Sequence, residues 1–205
     1  MAIYETSPDS GPLRQGEVLS NVVELRLAPE CLAPDAEPLF ERIVHPYAIV
    51  LTQDCDLHWD HRARFPADPN DQTRLEDKKI PNVLFCQADK AEAMRGTRGI
   101  KSDIWRRIAN NSDERYHVLP DVPAAVDKAG EGIPSLVLDF KLLFTVPADQ
   151  LYFHLGFEAK RRCFLLPPFL QSLSSRFSYF MGRVGLPETV QRTAPAALVL
   201  PPPAA

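Results

Sequence analysis

Residues 47–57 read YAIVLTQDCDL, and the first six of them decide the class of fold. Tyr47–Thr52 is almost wholly apolar and rich in β-branched side chains. A short run of this kind, without polar alternation, reads as a strand buried on both faces. Such a strand needs a covering layer on each side, so the chain must supply a sheet and the elements that pack on it. The strand leads straight into Gln53–Arg64 (QDCDLHWDHRAR), the one place where chemistry-capable groups crowd.

Upstream, residues 1–13 read as a loose lead-in. Gly16 opens an extended run, GEVLSNVVELRL, with Val18, Val22 and Leu25 expected to face inward. Residues 28–38 hold Pro29, Pro34 and Pro38 and form a loop, and Pro46 stands at the start of the buried strand. Downstream, residues 65–79 are charged and proline-broken, which predicts a mobile loop. Val83–Cys86 is a second strand. Ala88–Arg95 and Ser102–Ala109 read as helices, the latter with Ser102 as N-cap and Ile104, Trp105 and Ile108 on one face. Arg115–Leu119 is a short strand. Leu136–Val146 alternates, with Leu136, Leu138, Phe140, Leu142 and Phe144 expected in the core and Asp139, Lys141 and Thr145 in water. From Pro168 to Val184, Phe169, Leu170, Leu173, Phe177, Phe180, Met181 and Val184 recur at helical spacing, an apolar stripe suited to covering a sheet.

These elements describe an α+β fold: a small curved β-sheet or barrel with two short helices and a C-terminal amphipathic helix. The expected domain spans residues 14–187, followed by a flexible proline-rich tail, 188–205. The 20 prolines and 9 glycines in 205 residues fit short elements with stiffened boundaries, because each proline removes a backbone donor. With 45% hydrophobic and 24% charged residues, the composition is that of an ordinary globular chain. The net charge of −4 hides an acidic first third, in which residues 1–60 carry 3 arginines against 11 carboxylates, and a basic end. No global positive field draws the chain to nucleic acid. No apolar run approaches the ~18 residues of a membrane span. Four scattered cysteines without a paired motif, and no secretory leader, place the expected location in the cytoplasm.

The cluster after the buried strand admits three readings. Cys55, His58 and His61 form C-x2-H-x2-H, which would bind zinc only with a distant further ligand such as Cys86 or His117. Cys55 could act as a nucleophile with His58 or His61 as its base, but Asp54 and Asp56 flank the sulfur and oppose the thiolate. In the third and favoured reading, Gln53 and Cys55 continue the strand inward, Asp54 and Asp56 pair at its end, and Cys55 is a small core side chain. Arg115 and His117 lie on one face of their strand, available either to a phosphate or the cluster, or to pairing with Asp139 or Glu residues across a sheet, and the pairing is favoured.

The pattern QGEVL at Gln15–Leu19 followed by YAIVLTQDCDL resembles a group of uncharacterised bacterial proteins with a segment of the form VVLTQDCDL. That resemblance extends to RYHVLP at Arg115–Pro120, LVLDFK at Leu136–Lys141 and LPPF…SSRF…RVGLP at Leu166–Pro187, and it implies no function. More loosely, the opening is similar to MazF/PemK-type toxins over about forty residues. That likeness implies an SH3-like barrel, and RNA cleavage if a basic, hydroxyl-bearing groove accompanies it. Arg14 and Thr52 occupy suitable positions, whereas the acidic Asp54–Asp60 stretch would repel phosphate.

Without a coherent catalytic set, a binding or adaptor role through a protein partner or larger complex is favoured over catalysis and over nucleic-acid binding. The surface expected to carry it comprises Asp54, Cys55, Asp56, His58, His61, Arg115 and His117. The alternative is a MazF-like endoribonuclease or a metal-dependent hydrolase using residues 53–64. No cofactor is implied except zinc under the metal reading.

Overall fold

A computed structural model describes residues 1–33, 35–67, 75–97 and 99–183. The chain is α+β, built on a seven-stranded antiparallel sheet. In chain order the elements are β1 (Tyr4–Thr6), β2 (Glu17–Leu27), β3 (Phe40–Val50), α1 (Asp54–Arg64), β4 (Asn82–Lys90), α2 (Ala91–Thr97), α3 (Ser102–Ala109), β5 (Tyr116–Leu119), β6 (Leu136–Pro147), α4 (Ala148–Leu155), β7 (Lys160–Leu165) and α5 (Phe169–Met181). The strand order is β1-β7-β2-β3-β4-β6-β5. Among the described residues no pairing joins β1 to β5, so of the curved sheet or barrel expected the chain forms an open sheet, not an SH3-like barrel.

The YAIVLT segment is buried on both faces, as its composition predicts. Ile49 and Leu51 join a core with Val18, Leu138, Phe140 and Leu165. Ala48 and Val50 join a second core with Leu19, Phe85 and Phe144. The first is covered by α5, whose Leu173 is fully buried while Phe169, Leu170, Phe177 and Phe180 pack around it. Leu57 of α1 and Leu151 of α4 cover the second. A third, smaller core joins Val137 to Met94 of α2 and Ile108 of α3. Burying each such aliphatic side chain contributes about 1.5–3 kcal/mol.

Two expectations about facing are corrected and one is refined. Val18 and Val22 are both buried as expected, but on opposite sides of the sheet, because Asn21 between them takes a left-handed conformation (φ 56°) opposite Pro46 of β3 and the alternation restarts. Leu25 is exposed. In β6 the pairing jumps from Cys86↔Leu143 to Ala88↔Leu138, so extra residues interrupt the strand. Phe144 therefore faces the α1–α4 side while Leu136, Leu138 and Phe140 face α5, and Asp139 is buried rather than wet.

Other boundaries move. The lead-in contributes β1, whose Tyr4 is buried and donates its hydroxyl proton to the Pro120 carbonyl at 2.7 Å. Ala88–Lys90 extend β4, and helix α2 begins only at Ala91. Lys101, not Ser102, occupies the α3 N-cap position, without a side-chain cap bond. Pro46 lies inside β3 rather than before it. Helix α4 and strand β7, in a stretch with no periodic signal strong enough to read, are additions. Residues 68–74 of the expected mobile loop, Val184 of the last helix and the whole tail fall outside the described residues.

Candidate functional site

The residues after the buried strand form a helix, not a continuing strand. Carboxylates in the first turn of α1 (Asp54, Asp56) and His61, Arg62 and Arg64 in its last turn complement the helix dipole. Two acids then serve as struts. Asp54 Oδ1 accepts the Gln15 backbone N–H at 2.7 Å, and Gln15 Nε2 donates to the Leu51 carbonyl at 3.1 Å. Fully buried Asp60 accepts from Arg64 Nε at 2.8 Å and from the Ile80 N–H at 2.9 Å, while Arg64 Nη2 donates to the Ile80 carbonyl. Arg64 also pairs with Asp149 of α4. Thr52 Oγ1 accepts the Leu84 N–H at 2.8 Å. Two acids of the QDCDLHWDHRAR segment, Asp54 and Asp60, are thus spent on docking α1.

Anchored this way, α1 turns Cys55, Asp56, His58, Trp59 and Arg62 to solvent. Exposure of Cys55 overturns its reading as a core side chain. The Arg62 guanidinium lies 5.0 Å from the Trp59 ring centroid, and the His58 ring meets Trp59 edge-on at 5.8 Å. Trp59 is 41% exposed. Among the described residues no three His, Cys, Asp or Glu side chains are grouped to hold a metal ion.

His61 points elsewhere. Together with Phe65 and Tyr152 it forms an aromatic wall, with ring centroids 5.0, 6.3 and 5.2 Å apart. This wall lines a cleft of about 570 Å3 whose other side carries Lys128, Lys160, Arg161 and Arg162. Burial, reinforced by the Arg161 charge, lowers the His61 pKa. Burial and the Asp60 carboxylate raise that of Tyr152. The arginines are already engaged: Arg161 with buried Glu17 at 2.6 and 3.0 Å and with the Gly11 and Pro12 carbonyls, Arg162 with Asp127 at 2.6 Å through both nitrogens. The acidic front and basic end of the chain meet in the Glu17–Arg161 pair.

Arg115 and His117 do not join this region. Arg115 forms a two-point ion pair with Asp139, at 2.7 and 2.5 Å, as the favoured reading expected. His117 is 5% exposed, packs against Phe140 and is thereby on the α5 side of the sheet, opposite α1. Burial, with the Arg176 charge nearby, lowers its pKa to about 4. The surface expected from sequence therefore separates into three: an outer α1 face, a cleft at His61, and a buried His117.

No family model, curated protein or solved structure matches the chain. Trp59 and Arg62 were visible inside QDCDLHWDHRAR but lacked a motif to single them out. Tyr152 carried no signal, since its role depends on α4 returning to α1.

Proposed function

We infer that the protein is a cytoplasmic bacterial adaptor or complex subunit that binds a protein partner through the outer face of α1. The observation that supports this is a rigidly docked helix presenting Trp59, His58 and Arg62 to solvent. Tryptophan and arginine are the side chains that most often dominate protein interfaces, and a preset helix face loses little entropy on binding. The test is co-purification from the native host with tagged full-length protein. Wild type should retain a stoichiometric partner that Trp59→Ala/Arg62→Ala loses, with an unchanged melting temperature. Equal retention by both would discard the α1 face.

A second reading, a MazF-like ribonuclease of SH3-like ancestry, draws on the cleft, where His61 faces Lys128 and Lys160. It predicts growth arrest on expression and cleavage of total RNA that His61→Ala abolishes. The zinc-dependent version predicts stoichiometric metal in purified protein, lost in Cys55→Ala.

A further inference from the structure

The outer halves of β2 and β3 form a two-stranded arm. β2 pairs with β7 only over Glu17–Ser20, and β3 pairs with β4 only over Ala48–Val50, so Val22–Leu27 and Phe40–His45 pair only with each other among the described residues. The orientation of this arm is inverted. The face bearing Glu24 and His45 is turned to the body: both are buried, His45 Nε2 lies 2.8 Å from Glu24, and its ring stacks on Phe144 at 3.8 Å. On the other face the directly opposed pairs are Val23↔Val44, Leu25↔Arg42 and Leu27↔Phe40. There Leu25, Leu27, Phe40 and Val44 are 46, 42, 59 and 41% exposed, and Leu39 beside them 63%. Five of the twelve large exposed apolar side chains among the described residues thus sit on one hairpin.

We propose that this apolar face is covered by the same face of a second copy of the chain, in a two-fold dimer with the two arms antiparallel. Shape favours it. The bulky residues Leu27, Leu39 and Phe40 lie exposed at the tip, whereas at the base Val23 is already buried and the small Val44 is the exposed side chain, so reversing one arm on the other sets large side chains against a small one. Charge favours it too. The tip carries exposed Glu30, Glu37 and Glu41. The base adjoins β7, where the exposed Lys160 stands across from Ser20, whereas Lys128 is already paired with Asp9 of its own chain. Arg42, at the centre of the face, is paired with Glu158 of its own chain, so no uncompensated like charges meet on the axis. The patch is on the order of 400 Å2 per chain, the size of a monomer's largest and often functional patch. Two such patches with their polar rims bury roughly 1,000 Å2, the lower edge of specific association, which makes the dimer weak and concentration-dependent.

The experiment is sedimentation velocity on the full chain from low-micromolar to sub-millimolar concentration. Wild type should pass from monomer to dimer, and Phe40→Glu should weaken association at least ~10-fold with unaltered circular dichroism and melting temperature. Should that variant unfold, Leu25→Ser provides the same test. Glu37→Lys and Lys160→Glu should each weaken the dimer and together restore part of it. A wild type monomeric throughout, or a dimer indifferent to both Phe40→Glu and Leu25→Ser, overturns the proposal. Trp59→Ala should leave self-association unchanged, so this surface and the α1 face stand or fall separately.

Discussion

Ala48–Val50 and Phe40–Val44 belong to the same strand and both are largely apolar, yet Ile49 and Val50 are 0% exposed whereas Phe40 and Val44 are 59% and 41% exposed. The inner half lies between β2 and β4, with α5 on one side and α1 and α4 on the other. The outer half has β2 alone, and only its polar side rests on the body. Burial here follows from neighbours: the same valine side chain is core at Val50, where two layers meet, and 41% exposed at Val44, where they do not.

The comparison can be broken most forcefully from the inside. Phe85 pairs with Val50 and is fully buried against Phe144. Phe85→Ala should cost about 3–5 kcal/mol in denaturant unfolding, through lost transfer energy plus the cavity left behind.

A smaller effect comes from His117, whose burial keeps it neutral. Its pKa in the folded chain, about 4, lies below the roughly 6.5 of an unfolded histidine, so below that value the unfolded state takes up the extra proton. The stability it permits is complete above pH ~6.5 and is lost progressively as the pH falls towards ~4, on the order of 2–3 kcal/mol across the window. His117→Asn should flatten that part of the pH–stability curve, and an unchanged slope would assign the loss to other groups.

On the arm, Phe40→Ala should change stability by no more than about 0.5 kcal/mol, measured at a concentration where the chain is monomeric. A cost comparable to that of Phe85→Ala would mean that the arm is packed in the monomer, and the contrast between the two halves would collapse.

The candidate site was legible in its position but not in its use. A crowded polar segment after a buried strand is visible in one dimension. That Asp54 would be taken by Gln15, Asp60 by the Ile80 amide, and Glu17 by Arg161 is not, since these partners come from elsewhere in the chain, the last pair 144 residues apart. The cluster's histidines divided for a similar reason. His58 and His61 are only about 60° apart around the helix, and it is the return of α4 that divides them, setting Tyr152 beside His61 while His58 stays beside Trp59 on the outer face.

Local pattern determined the α+β class, the doubly buried strand at Tyr47–Thr52 and the apolar stripe of α5, because each is a periodicity or a run contained within about a dozen neighbouring residues. Tertiary structure alone decided that Val18 and Val22 face apart, that β6 changes sides between Phe140 and Phe144, that the sheet stays open, and that Leu25 and Phe40 end in water. A single left-handed residue at Asn21 or an interruption in β6 inverts every side chain beyond it, since the period of a strand is two. The choice of face is therefore set by pairing partners distant in sequence.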